Sequence, residues 1–296
     1  MQSVQFIEDT CKQSFSINID IVDTCNLRCI HCPRGVYYQK NTSDRMELSV
    51  FRAILDKMTS EGRCHSVVLC NWTEPFLHPQ IDKFVEAVNC RNIACSLSTN
   101  LSFEFSSRLE AVLKHAPGIV ISVSGFSQKM HELYHKGSNL EVVKKNLKFI
   151  SRLREKLQLA LHVEIHCLEF IDNQEDQLQW KSYCNDCGFI FRSKPAFCSD
   201  VTSPETAGRL LYQPSFYQDS EGNLKINRHF SKIPLAKACA LHNTIPIDSQ
   251  GDVFLCCIYW NHDQYKIGNF LNTQLRTIQE RRLLHHDCAH CTVLRQ

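Results

Sequence analysis

The chain has 296 residues, 43% of them apolar and 22% charged, with a formal net charge of +2. This is the composition of a folded protein with a sizeable core, and it excludes extensive disorder. The near-balanced charge gives no pull toward nucleic acid or an anionic membrane. No apolar run approaches the roughly 18 residues of a membrane span. The opening residues lack the basic flank and apolar stretch of a secretory signal, so the expected location is cytoplasmic.

The predicted elements alternate through the first two-thirds of the chain. Phe15–Val22 has strand-like alternation, and apolar residues at Phe51, Ile54, Leu55 and Met58 predict a helix over Leu48–Met58. Strands are predicted at Val67–Leu69, Ala94–Leu97, Ile119–Val123, Leu159–Cys167 and Phe189–Phe191, and helices at Ile81–Val88, Phe105–Leu113, Leu140–Leu157 and Asn173–Cys184. Six strands, each followed by a helix or loop, imply an α/β fold with parallel pairing and right-handed crossovers. Either an open sheet or a barrel fits, and in both the functional groups gather on loops at the carboxyl ends of the strands. Residues 198–235 are rich in Ser, Pro, Gln and Asn without a clear period, and are expected to form a linker or irregular lobe. A hairpin signal around Asp248-Ser-Gln-Gly251 follows.

Cysteine is the outlier, at 17 residues. A reducing cytosol does not favour disulfides, so these thiols imply metal, redox chemistry or burial. Three of them, Cys25, Cys29 and Cys32, lie in the loop after the first strand at gaps of three and two residues. Structural zinc takes four protein ligands, and no fourth continues this pattern. Three thiolates suit an iron–sulfur cluster with one iron left open.

Cys-x3-Cys-x2-Cys at the end of a first strand resembles the signature of the radical S-adenosylmethionine (SAM) superfamily. The resemblance implies a [4Fe–4S] cluster on Cys25, Cys29 and Cys32, whose fourth iron chelates SAM. It also implies reductive cleavage to a 5′-deoxyadenosyl radical that abstracts hydrogen from a substrate. His31, where the family often has Tyr or Phe, is expected to stack on the adenine. Asn71-Trp72-Thr73-Glu74-Pro75 resembles the family's Gly-Gly-Glu-Pro turn, placing Thr73 and Glu74 at the cofactor's ammonium group, with Trp72 and Thr73 replacing the glycines. Ser98, Thr99 and Asn100 resemble the next cofactor turn, and Ser122 and Ser124 the site near the ribose and carboxylate.

Near the end of the chain, Cys239, Cys256, Cys288 and Cys291 form a second constellation, for which four thiolates suit zinc or an iron–sulfur cluster. Gly251, ahead of Cys256, resembles the opening of the SPASM extension, and the spacing resembles its shorter twitch form, implying one auxiliary [4Fe–4S] cluster. Cys256 is the expected ligand; Cys257, adjacent on a presumed strand, faces the core. Of the other thiols, Cys167 and Cys198 are the candidate hydrogen donors to a substrate radical, and most of the rest are expected to be core.

The resemblance as a whole implies a partial (β/α)6 TIM-like barrel over residues 1–197, the irregular lobe, and a small iron–sulfur-binding twitch/SPASM-like domain over 236–296. The cofactors are two [4Fe–4S] clusters and SAM, fed by an external flavodoxin- or ferredoxin-like electron donor. The expected substrate is a ribosomal peptide to be epimerised, cross-linked or cut. The alternatives are a small aminocyclitol or sugar, oxidised or epimerised, and a non-catalytic iron–sulfur scaffold. About two dozen residues precede Cys25, too few for a leader-peptide-binding domain. The expectation is therefore a small substrate or a peptide presented by a separate partner protein.

Overall fold

The structure, a computed structural model, describes residues 14–30, 32, 34–35, 44–61, 64–104, 106–195, 216–218, 224–226, 243–257 and 262–285. In chain order the elements are β1 (Phe15–Ile19), α1 (Leu48–Glu61), β2 (Cys64–Leu69), α2 (Ile81–Asn89), β3 (Ala94–Thr99), α3 (Ser106–Leu113), β4 (Gly118–Val123), α4 (Gln128–Tyr134), α5 (Leu140–Leu157), β5 (His162–Glu169), α6 (Gln174–Cys187) and β6 (Ile190–Pro195). There follow a ribbon of β7 (Phe216–Gln218) and β8 (Leu224–Ile226), then β9 (Thr244–Ile247), β10 (Asp252–Phe254), α7 (His262–Tyr265), β11 (Lys266–Asn269) and α8 (Leu275–Leu283).

Nine strands form one sheet in the order β11-β10-β9-β1-β2-β3-β4-β5-β6. From β1 to β6 every pairing is parallel, the arrangement of a partial TIM-like barrel. On the other side of β1, β9 pairs in parallel, Ser16 with Thr244 through Ile19 with Ile247, and β10 and β11 continue antiparallel. The predicted hairpin is therefore present, and it extends the barrel sheet. Its turn uses Gly251 at φ +80°, a conformation that only glycine adopts without strain.

Burial alternates along each barrel strand. Cys95, Leu97 and Thr99 of β3, Ile119, Ile121 and Val123 of β4, and Val163, Ile165 and Cys167 of β5 are buried. The apolar stripes of α1 (Phe51, Ile54, Leu55, Met58) and α5 (Leu140, Val143, Leu147, Ile150, Leu153) join the same core, which holds Cys95, Cys167 and Cys184. The intervening positions, Ser96, Ser98, Val120, Ser122, Glu164 and His166, face the barrel's inner side and are only partly buried.

Helix α5 spans the predicted range because both ends are capped. The Asn139 side chain accepts from the N–H groups of Glu141 and Val142, and Gln158 closes the C-terminus in the left-handed conformation. Two strands are shorter than expected, while β2 begins three residues earlier, at Cys64, and β6 runs on to Pro195. The first ends at Ile19 instead of Val22: Asp20 turns away, and Val22 makes an isolated antiparallel bridge with Arg45. The fifth begins at His162 instead of Leu159, because the α5 cap runs through Gln158 and Leu159.

Candidate active site

Asp20 stands where β1 leaves the sheet and is 3% exposed. Its backbone N–H donates to Ile247 O at 2.9 Å. Its carboxylate gathers the turn after β2: the N–H groups of Asn71 (2.8 Å), Trp72 (3.1 Å) and Thr73 (3.2 Å) donate to Oδ1, as does the Thr73 hydroxyl at 2.6 Å. Three consecutive amides aimed at one acceptor form an anion nest, and here the anion is internal. This is how Trp72 and Thr73 occupy a turn that the resemblance writes with glycines. The Thr73 hydroxyl thus points at Asp20, a residue the sequence reading did not single out.

Glu74, 1% exposed, begins a short 3-10 turn over Pro75–Leu77. Its Oε1 accepts from Phe76 N–H at 3.2 Å and the Thr99 hydroxyl at 2.8 Å, and its Oε2 from Asn100 N–H at 2.8 Å. Burial pushes its carboxyl up to about 7 against these hydrogen bonds. A buried carboxylate in this condition favours a nearby cation.

The cysteine loop lies beside it. Glu74 N–H donates to Thr24 O at 3.1 Å. Asn100 Nδ2 donates to Asn26 Oδ1 at 2.9 Å and lies 3.8 Å from Cys25 Sγ. Loop backbone bonds run from Arg28 N–H to Lys136 O and from Ile30 N–H to Tyr134 O, docking the loop on the end of α4. Buried Arg34 pairs with Asp23 at 2.6 Å. Cys25, Cys29 and Cys32 are half-buried. Burial raises all three thiols, Cys25 to about 12, and the Cys29 thiol is raised further by the charges of Cys32 and Cys25. A cationic cluster is the partner that would favour three adjacent thiolates. Among the described residues no three Cys, His, Asp or Glu side chains converge as a single-ion site would require. The three thiols, raised by burial and by one another's charge, are the donor chemistry that suits an iron–sulfur cluster.

The other predicted residues separate. Thr99 and Asn100 join the Glu74 network, while Ser98 and Ser122 line the barrel's inner side. Ser124 is fully buried, its hydroxyl 2.8 Å from His135 Nδ1 and donating to His131 O at 3.3 Å. Cys167 is buried in the core, its thiol donating to Ser124 O at 3.3 Å. His31, Cys198, Cys239, Cys288 and Cys291 lie outside the described residues.

Cys256 and Cys257 follow β10, which ends at Phe254, so strand alternation does not divide them. Cys256 packs against the core, both are half-buried, and they share a side-chain hydrogen bond. Trp72 reaches this point: its Nε1–H donates to Cys257 O at 3.0 Å, and its ring meets Phe254 edge-on at 5.8 Å. Buried Arg282 of α8 secures the same segment, donating to Leu255 O at 2.9 Å and Thr244 O at 2.6 Å. Asp20 and Arg282 were missed by motif reasoning, which read Trp72 only as a replaced glycine and not as a link to Cys257. Only Asp20 left a signal, as an acid directly after an apolar alternating run.

Fold and site together define an iron–sulfur enzyme on a partial β/α barrel. Residues 19–161 match the family model described as the Radical SAM superfamily, and residues 239–292 match that of the SPASM iron–sulfur cluster-binding domain. The chain belongs to the radical SAM superfamily and is a radical SAM enzyme with a SPASM-type extension. Among solved structures it is similar to SuiB of Streptococcus suis bound to precursor peptide SuiA (16% identity over 94% of this chain and 67% of that one, TM-score 0.65). It is also similar to anSMEcpe with bound AdoMet and the Cp18Cys peptide (16%, 95% and 86%, TM-score 0.61). A third is BtrN in complex with AdoMet and 2-DOIA (15%, 94% and 88%, TM-score 0.51). Among curated proteins there is no match. No described helix is long and apolar enough to cross a membrane.

Proposed function

We propose that the protein is a cytoplasmic peptide-modifying radical SAM enzyme. Residues 1–197 form the barrel, 198–235 the irregular lobe and 236–296 the auxiliary-cluster domain. The peptide reading rests on similarity to two solved enzymes, SuiB and anSMEcpe, whose structures contain peptides. Similarity to BtrN, at a lower TM-score, supports oxidation of a small aminocyclitol or sugar as the second reading. An external electron donor and a separate leader-peptide-binding partner complete the proposal.

Cys25, Cys29 and Cys32 would hold one [4Fe–4S] cluster and Cys239, Cys256, Cys288 and Cys291 the other. When bound, the first cluster and SAM supply the electron and the sulfonium from which a 5′-deoxyadenosyl radical arises. The protein's part is placement. Glu74, held by Asn100, Thr99 and Phe76, presents a carboxylate for the ammonium group of the cofactor. Asn100 ties that carboxylate to the Cys25 loop. His31, Ser98 and Ser122 are assigned to the adenosine, and Thr73 and Ser124 to support of the walls around it.

The observation that carries the reading is the direct connection of the three-thiol loop to the buried Glu74. Anaerobic reconstitution tests it. About eight irons per chain are expected, falling by about four in Cys25→Ala, Cys29→Ala or Cys32→Ala, with 5′-deoxyadenosine formed from SAM on reduction. Intact clusters without SAM cleavage would favour the scaffold reading. A single zinc on the three thiols would refute the cluster assignment. Cys256→Ala and Cys257→Ala, measured in parallel, identify the ligand of the pair.

A further inference from the structure

The inner side of the barrel is not electrically uniform. On β1 to β4 its side chains are short and uncharged, Ser16, Asn18, Ser66, Ser96, Ser98 and Ser122 with the apolar Val68 and Val120. On β5 and β6 they become charged. The inner positions of β5 are His162, Glu164, His166 and Leu168; those of β6, in register, are Ile190, Arg192 and Lys194. The intervening residues prove the facing: Phe191 packs on the core, and Ser193 donates to Gln177 of α6 on the outer side.

Glu164 is the one carboxylate in this inner row of β5 and β6, and its charge is already engaged. Its Oε1 and Oε2 lie 2.8 Å from the Nε2 atoms of His162 and His166, and Arg192 Nη2 lies 3.7 Å from Oε1. These hydrogen bonds hold its carboxyl below the usual range, led by that from His162. Glu164 is 18% exposed, whereas Arg192 is 55% exposed, and a guanidinium carries five donors, of which the 3.7 Å pair engages one nitrogen. Lys194 is exposed, and among the described residues it has no ion-pair partner. One carboxylate therefore faces two permanent cations and two imidazoles, a surplus of positive charge on the inner side of β5 and β6 among the described residues.

The wall is also well placed. Ser122 pairs with His166 and His166 with Arg192 in one register row. Adjacent strands are about 4.8 Å apart, so Arg192 stands two strand spacings, roughly 10 Å, from Ser122, which the proposed function assigns to the adenosine. That separation accommodates a short stretch of extended peptide.

We propose that Arg192, Lys194 and the imidazole of His166, held by Glu164, form the substrate subsite, and that it takes a carboxylate-bearing segment, an acidic peptide. The Glu164 clamp fixes both imidazoles and shields the one opposing charge, leaving the guanidinium and ammonium to the ligand. The inference rests on the peptide reading above and deepens it. It also bears on the alternative, since an aminocyclitol carries ammonium groups that this wall would repel.

The test uses the full chain, anaerobically reconstituted with iron and sulfide and supplied with SAM. Three fluorescein-labelled hexapeptides, alternating Gly with Glu, Gln or Lys, are titrated by fluorescence anisotropy at two salt concentrations. The Glu peptide is expected to bind at least tenfold more tightly than the Gln peptide, with the difference shrinking at high salt. Arg192→Glu and, separately, Lys194→Glu should each remove that preference. Both side chains are exposed, so the variants are expected to melt like the parent. Equal binding of the three peptides, no binding of any, or a Glu preference unchanged in both variants would overturn the inference. If 5′-deoxyadenosine is still formed in those cases, the radical SAM reading stands and only the subsite falls.

Discussion

Replacing Asp20 by alanine tests whether an internal carboxylate does the work of the glycines missing from the turn after β2. The substitution strips three backbone N–H groups and the Thr73 hydroxyl of their acceptor in a site 3% exposed. Each buried donor left unsatisfied costs about 1–3 kcal/mol, and a water entering the vacated volume returns part of that. The expected net loss is about 3–5 kcal/mol, at the upper end for single substitutions. With a urea m-value near 3 kcal/mol per M, the cofactor-free protein should lose about 1–1.7 M in its midpoint at unchanged slope. Asp20→Asn keeps one acceptor oxygen but turns an NH2 toward the amides, and should lose about half as much. An alanine variant within about 1 kcal/mol of the parent would refute the view that Asp20 organises the turn.

Three further outcomes follow from the same geometry. The Glu74 carboxyl, at about 7 when folded against an ordinary 4.5, binds more protons in the folded than in the unfolded chain between those values. Cofactor-free stability should therefore fall as pH rises through that window, by about 3 kcal/mol relative to Glu74→Gln, read from paired urea midpoints at pH 5 and 8; parallel curves would contradict it. Trp72→Phe removes the hydrogen bond to Cys257 O and should cost about 1 kcal/mol, whereas Trp72→Ala should cost about 3–5. In both, amide hydrogen exchange should rise in residues 252–257, and unchanged exchange there would sever the proposed link. A Cβ at Gly125 would lie 2.3 Å from the backbone nitrogen of His131, so Gly125→Ala should displace α4 and cost about 3 kcal/mol or more; a melting temperature like the parent's would refute that crowding.

What could be read from the sequence was whatever is local. The 3.6-residue period and the polar caps of Leu140–Leu157 lie within one segment, and the helix occupies the predicted range. The cysteine spacing and the turn at Glu74 are likewise contiguous. By contrast, α4 is seven residues long and buries His131 and Tyr134, which make no apolar stripe. Helix α8 docks through Leu275, Ile278, Gln279 and Arg282, so half of its buried face is polar and its period is masked. The expected split of Cys256 from Cys257 by strand alternation does not apply, because β10 stops before both. Asp20 escaped notice because its partners lie about 50 residues away in sequence, and an acid's acceptor role is set by the amides that surround it. Pairing of β1 with β9 joins residues more than 220 positions apart, beyond any periodic signal.

That last pairing makes β1 an interior strand. The barrel half is bounded on that side by a segment synthesised long after it, and until β9 arrives the nascent β1 presents a bare row of amides and carbonyls beside the alternating apolar residues Phe15, Ile17 and Ile19. An open edge of that kind recruits other chains. A version of the protein cut near residue 197 should accordingly aggregate during expression, and supplying residues 236–296 as a separate polypeptide should partly rescue it by closing the seam.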